Sequence, residues 1–253
     1  MVLVGFFVVV LSICYKWQII DATTVDSTPG LDFVPRPDPS DANNTLIYYK
    51  VHDDASVRKW TSKIDEFVQE YSLKAPGAEN RMACSWSDAS AGNKSCDVPL
   101  ADFYPCNPDN QYNYHRAAPC VFLKLDKLLN WTPNPYNTSE DLPTDMPADL
   151  KQYITIVTGK EYANAVWVSC EGENPVDVEF LGPIMYIPRR GFPAYYFPYT
   201  NQEGYLSPLV AVLFENPKKG LIINIVCKAW AKNIARDALE RRGSVSFQLK
   251  IDY

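Results

Sequence analysis

Histidine is scarce and closely spaced cysteines are missing. The chain has two histidines, His52 and His115, and no C-x-x-C pair. Zinc sites usually show close ligand pairs, so a structural metal is disfavoured. Cationic residues are in the minority, 24 Lys and Arg against 30 Asp and Glu, for a net charge of −6. That argues against nucleic acid, which requires a basic face. There is no G-x-S-x-G elbow, no P-loop and no Rossmann glycine fingerprint. An enzyme should offer a nucleophile with a base, paired carboxylates in a pocket or metal ligands. The two histidines are isolated, one beside a helix start and one in a Cys-rich loop. Glu171 and Glu173 flank Gly172 in a turn, where solvation accounts for them. The dibasic pairs Arg189-Arg190 and Arg241-Arg242 read as strand-end charges in preference to processing sites. No catalytic residue, metal ligand or cofactor is assigned, and no internal repeat or low-complexity tract is found.

What is present points elsewhere. Apolar residues make up 47% of the 253, enough for a core. Twenty prolines and sixteen tyrosines favour turns and aromatic strand positions over helix. Of seven cysteines, Cys14 lies in an apolar leader. The other six, Cys84, Cys96, Cys106, Cys120, Cys170 and Cys227, form an even set that reads as three disulfides in an oxidising compartment. Spacing alone leaves 15 connectivities open. Four N-x-[ST] sequons, at Asn43, Asn93, Asn130 and Asn137, fit a glycosylated extracellular domain.

The leader, MVLVGFFVVVLSICY, is uncharged and shorter than the roughly 20 apolar residues of a full span. A signal peptide is a rival reading. The absence of a basic n-region and the bulky exit YKWQII favour a membrane anchor whose N-terminal part is not in this chain. The expected organisation is an anchor over residues 1–20, an extended Pro-rich stalk over 21–52 and a β-domain over 53–253. One helix is expected over about Asp54 to Tyr71. Val57, Trp60, Ile64, Phe67, Val68 and Tyr71 form one apolar stripe there, and Asp53 or Asp54 can cap it. Residues 75–119 read as a disulfide-held loop region, and 131–147 as a proline-dense linker. The pattern then turns to strands. Ala165–Cys170 and Val176–Leu181 read as a hairpin around EGENP. Leu209–Phe214 and Leu221–Trp230 come next, and Val245 to Ile251 alternates as a half-buried strand. Short strands with turns between them suggest an antiparallel sandwich.

Five segments in order then carry a resemblance: PGL (Pro29–Leu31), PCVFLKLDKLLNWTPNPYN (Pro119–Asn137), YYFPY (Tyr195–Tyr199), YLSPLVAV (Tyr205–Val212) and IVCKAWAKNI (Ile225–Ile234). With the cysteine order and the apolar leader, the chain resembles the beta subunit of the sodium/potassium-transporting ATPase, invertebrate-like and short at its N-terminus. The resemblance implies a non-catalytic, single-pass type II plasma-membrane protein with an immunoglobulin-like ectodomain, a long helix and disulfide-bonded insertions. It implies a catalytic alpha subunit as partner, whose folding, membrane delivery and potassium affinity the chain would assist. The bilayer, and a small regulatory single-span subunit, are further implied partners. It implies the pairs Cys84–Cys96, Cys106–Cys120 and Cys170–Cys227. The last closes a loop of about 58 residues, worth roughly 4 kcal/mol in the chain-entropy model. It places partner contacts at Phe6, Phe7, Pro29, Gly30, Leu31, Tyr195, Tyr196, Pro198 and Tyr199. The family's YYPYY departs here to YYFPY. An adhesion ectodomain acting without a pump, a secreted binding domain and a proton/potassium pump beta subunit are the alternatives.

Overall fold

The computed structural model describes residues 28–37, 45–86, 94–236 and 242–253. Among these residues the strands β1 (Leu31–Val34), β5 (Cys120–Leu125), β9 (Leu209–Phe214) and β7 (Ile184–Ile187) pair antiparallel, in the order β1-β5-β9-β7. A second sheet has the order β2-β11-β10-β6-β8, from β2 (Leu46–Lys50), β11 (Ser244–Asp252), β10 (Ile222–Trp230), β6 (Ala165–Gly172) and β8 (Gly191–Pro193). Two short strands, β3 (Arg81–Met82) and β4 (Ser95–Cys96), pair in the loop region.

The two sheets face each other across an apolar core. Phe33 of β1 stacks on Phe247 of β11 at 4.7 Å, and Phe214 of β9 meets the same ring edge-on at 6.2 Å. The alternation of β11 produces this. Val245, Phe247, Leu249 and Ile251 are buried, while Ser246, Gln248 and Lys250 lie half-buried on the other face. β9, by contrast, reads LVAVLF and is buried throughout, because the outer face of its sheet is also covered. That cover includes Phe103 and Tyr112 of the disulfide-bonded insertion, which pack on Phe122, and helix α1 (Asp54–Val68).

Helix α1 forms where the apolar stripe runs and starts at Asp53, whose carboxylate accepts from the amides of Ala55 and Ser56. Val57, Trp60 and Ile64 are buried beneath it. A 3₁₀ turn, Gln69–Tyr71, prolongs it. The Trp60 indole donates to the Tyr48 carbonyl at 2.7 Å, fastening the helix to β2. The Tyr112 hydroxyl donates to Asp65 at 2.7 Å, fastening the insertion to the helix.

The outer face of the second sheet carries two more helices. Helix α2 (Ala148–Val157) presents Leu150, Ile154 and Val157 to Trp167 and Trp230, forming a second buried cluster. Helix α3 (Pro175–Leu181) begins at Asn174, whose side chain accepts from the amides of Val176 and Asp177.

The disulfides join Cys84 to Cys96, Cys106 to Cys120 and Cys170 to Cys227. The third links directly opposed residues of β6 and β10, with Cα atoms 4.1 Å apart. It lies within one sheet on its inward face, since Cys227 stands opposite Val245, which shares its face of β11 with Phe247.

Several expectations are corrected. Residues 176–181 are helical, not the second strand of a hairpin. Val176, Val178 and Phe180 mimic a strand's period, but Asn174 caps the segment and Pro175 sits where a helix's first turn tolerates it. The proline-dense segment leads directly into α2, so this region covers a sheet and is more than a linker. Residues 31–34 and 46–50, inside the expected stalk, are extended but paired into the two sheets. The pairing of β2 with β11 is parallel, a departure from the otherwise antiparallel ladders of the two large sheets.

This packing sets two expected outcomes. A Cβ at Gly172 would sit 2.2 Å from the Val178 amide nitrogen and 2.3 Å from the Asp177 carbonyl carbon. Gly172→Ala should therefore destabilise by about 1–3 kcal/mol, as overpacking does. Gly172→Ala with unchanged stability in chemical denaturation would show that α3 does not press on β6. Replacing Cys170 and Cys227 together by Ala opens a separation of 57 residues. It should lower stability by about 2–5 kcal/mol, read as a lowered midpoint of thermal unfolding.

Candidate partner-binding surface

The aromatic run Tyr195–Tyr199 comes after β8 and passes through a 3₁₀ turn, Ala194–Tyr196, before leading into β9. Its rings take two different roles. Tyr196 is buried, and its hydroxyl donates to the Asp97 carbonyl at 2.8 Å. Phe197 meets the buried Trp131 edge-on at 5.3 Å. Tyr195 is half-buried, packed on Tyr196 at 4.7 Å and edge-on to Trp86 at 5.0 Å. Tyr199 is half-buried against Tyr205 at 4.9 Å, and its hydroxyl donates to Asn201 at 2.8 Å. Burial pushes the phenols of Tyr195, Tyr196 and Tyr205 above their ordinary range, so these rings stay neutral donors at physiological pH. The result is a half-exposed aromatic surface fixed from below by buried rings.

The exit from β5 completes this surface. Leu129 forms a parallel bridge with Tyr199, and the Asn130 amide donates to the Tyr199 carbonyl at 2.8 Å. Leu129 is 59% exposed, a large apolar side chain left in solvent. The Lys127 ammonium lies 5.9 Å from the Tyr199 ring centre and 5.7 Å from that of Tyr205, within cation–π range. The PGL segment sits at the same end, since Leu31 pairs with Leu125 and the Asp126 amide donates to Gly30. Pro29 and Leu31, however, are buried, so their side chains belong to the core and cannot touch a partner in this conformation. Gly30 is half-buried and bridges Arg242.

Phe6, Phe7, Asn43 and Asn93 lie outside the described residues. Asn130 and Asn137 are both exposed, and Asn130 has a left-handed φ of 58°. Sequence reasoning missed Lys127, Leu129, Trp86 and Trp131. Their role arises from the bridge and the ring contacts, which no local pattern announces.

The residues weighed for chemistry sit apart from one another. His52 stacks on Tyr253 at 6.1 Å, and His115 accepts from the Arg116 guanidinium at 3.1 Å. Glu171 pairs with Lys228 at 3.0 Å. Arg190, of the dibasic pair, is a fastening: it donates to the Val168 carbonyl, lies over Tyr186 at 4.7 Å and pairs with Asp149 at 2.8 Å. Its side chain is only 11% exposed, which does not suit a processing site. Among the described residues no group of three or more His, Cys, Asp or Glu is placed to hold a metal. Among them, too, no helix is long and apolar enough to cross a membrane; the apolar leader lies outside them.

Comparison with known proteins adds the family. The sequence profile described as "Sodium / potassium ATPase beta chain" matches residues 1–247. The chain is 47% identical over 244 residues to the sodium/potassium-transporting ATPase subunit beta-2 of Drosophila melanogaster, covering 94% of this chain and 75% of that one. It is 38% identical over 239 residues to the beta-1 subunit of the same organism, with the same coverage. A probable beta-3 subunit of Caenorhabditis briggsae is 26% identical over 238 residues, covering 91% of this chain and 68% of that one. A two-sheet, disulfide-bonded fold with an aromatic surface and no assembled catalytic constellation among its described residues thus meets a match along nearly its whole length: the chain belongs to the sodium/potassium ATPase beta chain family, as a non-catalytic subunit.

Proposed function

We propose that this chain pairs with the catalytic alpha subunit of a sodium/potassium pump, assists its folding and delivery to the plasma membrane, and tunes its potassium affinity. The observation that carries the reading is the family match over residues 1–247. The half-exposed aromatic surface around Tyr195, Pro198 and Tyr199 supplies the contact chemistry. Tyr gives large contact area at small entropy cost, and its hydroxyl can still donate. The leader over residues 1–20 would anchor the chain as a single-pass type II protein. The immunoglobulin-like sandwich, residues 28 onward, would then lie outside the cell. Three disulfides fit that oxidising side. The exposed sequon residues Asn130 and Asn137 would carry glycans there.

The packing separates two kinds of ring. Tyr196→Phe removes a buried donor to Asp97 and should cost about 1–3 kcal/mol of stability, measured by chemical denaturation. Tyr199→Ala, on a half-exposed ring, should leave the disulfide-bonded fold intact and reduce co-purifying alpha chain several-fold in mild detergent. Undiminished alpha recovery with Tyr199→Ala would remove this ring from the interface. For the glycans, Asn130→Gln and Asn137→Gln should each shift the secreted-pathway form to higher gel mobility by one glycan. A shift lost on prior glycosidase treatment confirms it, and no shift means the sequon is unused.

A further inference from the structure

The sequon residue Asn137 stands in the lining of a shallow groove of about 460 Å³. The rest of the lining is Thr138 and the turn that leaves α2, where Thr158, Lys160, Glu161 and Asn164 are all exposed. Gly159 lies in the same turn, and a Cβ placed on it would meet nothing within 4 Å, so the groove is open above it.

The backbone entering the sequon is held from behind. The Trp167 indole donates to the Tyr136 carbonyl at 2.7 Å, and Tyr136 packs on the buried cluster of α2, Trp167 and Trp230. The Asn134 amide donates to the Asn233 side chain at 2.8 Å, and the Asn134 carbonyl accepts from the Lys232 amide at 2.7 Å. Asn137 is thus exposed at the end of a segment tied to the residues after β10. Whatever is attached to it starts from a fixed point at the groove.

The lining suits a neutral, hydroxyl-rich occupant. Lys160 donates, Glu161 accepts, and Thr138 and Asn164 do both. The adjacent charges of Lys160 and Glu161 cancel, so the groove favours neither an anion nor a cation. Lys160 is steadied over the Tyr162 ring, 5.6 Å from its centre. A ligand tethered at Asn137 needs little affinity of its own, because a short tether gives it an effective concentration on the order of millimolar.

We propose that the N-linked glycan of Asn137 folds back into this groove. Its first N-acetylglucosamine bonds to Lys160, Glu161 and Asn164 and clamps the α2 exit turn to the segment before the sequon. That turn runs straight into β6, so the sugar covers the junction of helix and sheet. The proposal rests on the reading of Asn137 as an occupied sequon and makes its glycan a packed part of the fold. Asn130 supplies the internal control: it is also exposed, but it stands at Tyr199 and shares no residue of this groove.

The test uses the full chain, made through the secretory pathway and purified in mild detergent. An amidase that removes N-glycans acts on the folded protein, and mass spectrometry follows release as Asn becoming Asp at each site. Lys160→Ala combined with Asn164→Ala should speed release at Asn137 by about fivefold, as the loss of ordinary hydrogen bonds gives, and leave release at Asn130 unchanged. Both side chains are exposed, and the backbone bonds of Lys160 and Asn164 to Val157 and Ala194 are retained. Ser139→Ala removes the hydroxyl that the sequon requires but keeps Asn137. Amide exchange over residues 158–164 should then rise severalfold, while Asn130→Gln leaves it as it was. Unchanged release at Asn137 in the double variant, or exchange over 158–164 indifferent to Ser139→Ala, overturns the groove proposal and leaves the sequon reading standing. A wild-type chain with no glycan at Asn137 overturns the sequon reading there, and the groove proposal falls with it.

Discussion

Buried indoles and phenols that reach an acceptor fasten the covering segments to the sandwich, whereas Tyr49, Tyr114 and Trp131 are buried by packing alone, with no acceptor among the described residues. The Trp60 indole holds α1 to the β2 backbone, and that of Trp167 holds the Tyr136 carbonyl over the second sheet at 2.7 Å. Trp230 donates to the Ser169 hydroxyl at 2.8 Å, between neighbouring strands. The Tyr71 hydroxyl reaches the Ser207 carbonyl at 3.1 Å, which ties the end of the helix to the entry of β9. Each ring contributes apolar area and one directed bond, so it sets both the energy and the position of the segment it holds. These bonds act beside the Cys106–Cys120 disulfide, which ties the insertion covalently to β5.

Charged groups obey the same logic of local satisfaction. Asp177 is buried, yet its carboxylate accepts from Asn174 and, at 3.1 Å, from Asn224. Asn224 in turn accepts from Gln248 at 2.8 Å, so α3, β10 and β11 share one polar chain on the outer face of the second sheet. Arg190 has a comparable role at the edge of β6, where it joins the Val168 carbonyl to Asp149 of α2. Arg189, one residue earlier, faces solvent. Adjacent residues of one dibasic pair thus divide between structure and surface.

Helix α1 and strand β11 were legible because a single period dominates each: an apolar residue every three or four positions in one, every second position in the other. Helix α3 was not, because its apolar residues fall at every second position while its helix signal is confined to Asn174 and Pro175. Helix α2 was hidden by the prolines before it, although Leu150, Ile154 and Val157 share one face. β1 and β2 are short, β1 lies between Pro29 and Pro35, and the place of both in the sheets depends on partners far along the chain. The parallel register of β2 on β11 has no local signature at all. The aromatic run was visible as composition. Its division into buried Tyr196 and half-exposed Tyr195 and Tyr199 depends on Asp97, Trp86 and Tyr205, which no spacing rule connects to it.

The proposed pairing has a non-catalytic chain meet its partner through the aromatic end of a rigid sandwich. Hydrogen exchange on the chain alone and in purified alpha–beta complex tests it most directly. Added protection is expected in residues 194–205 and 127–131 on pairing, with the β10–β11 ladder unchanged. Protection confined to the outer face of the second sheet, with residues 194–205 unaltered, would contradict it.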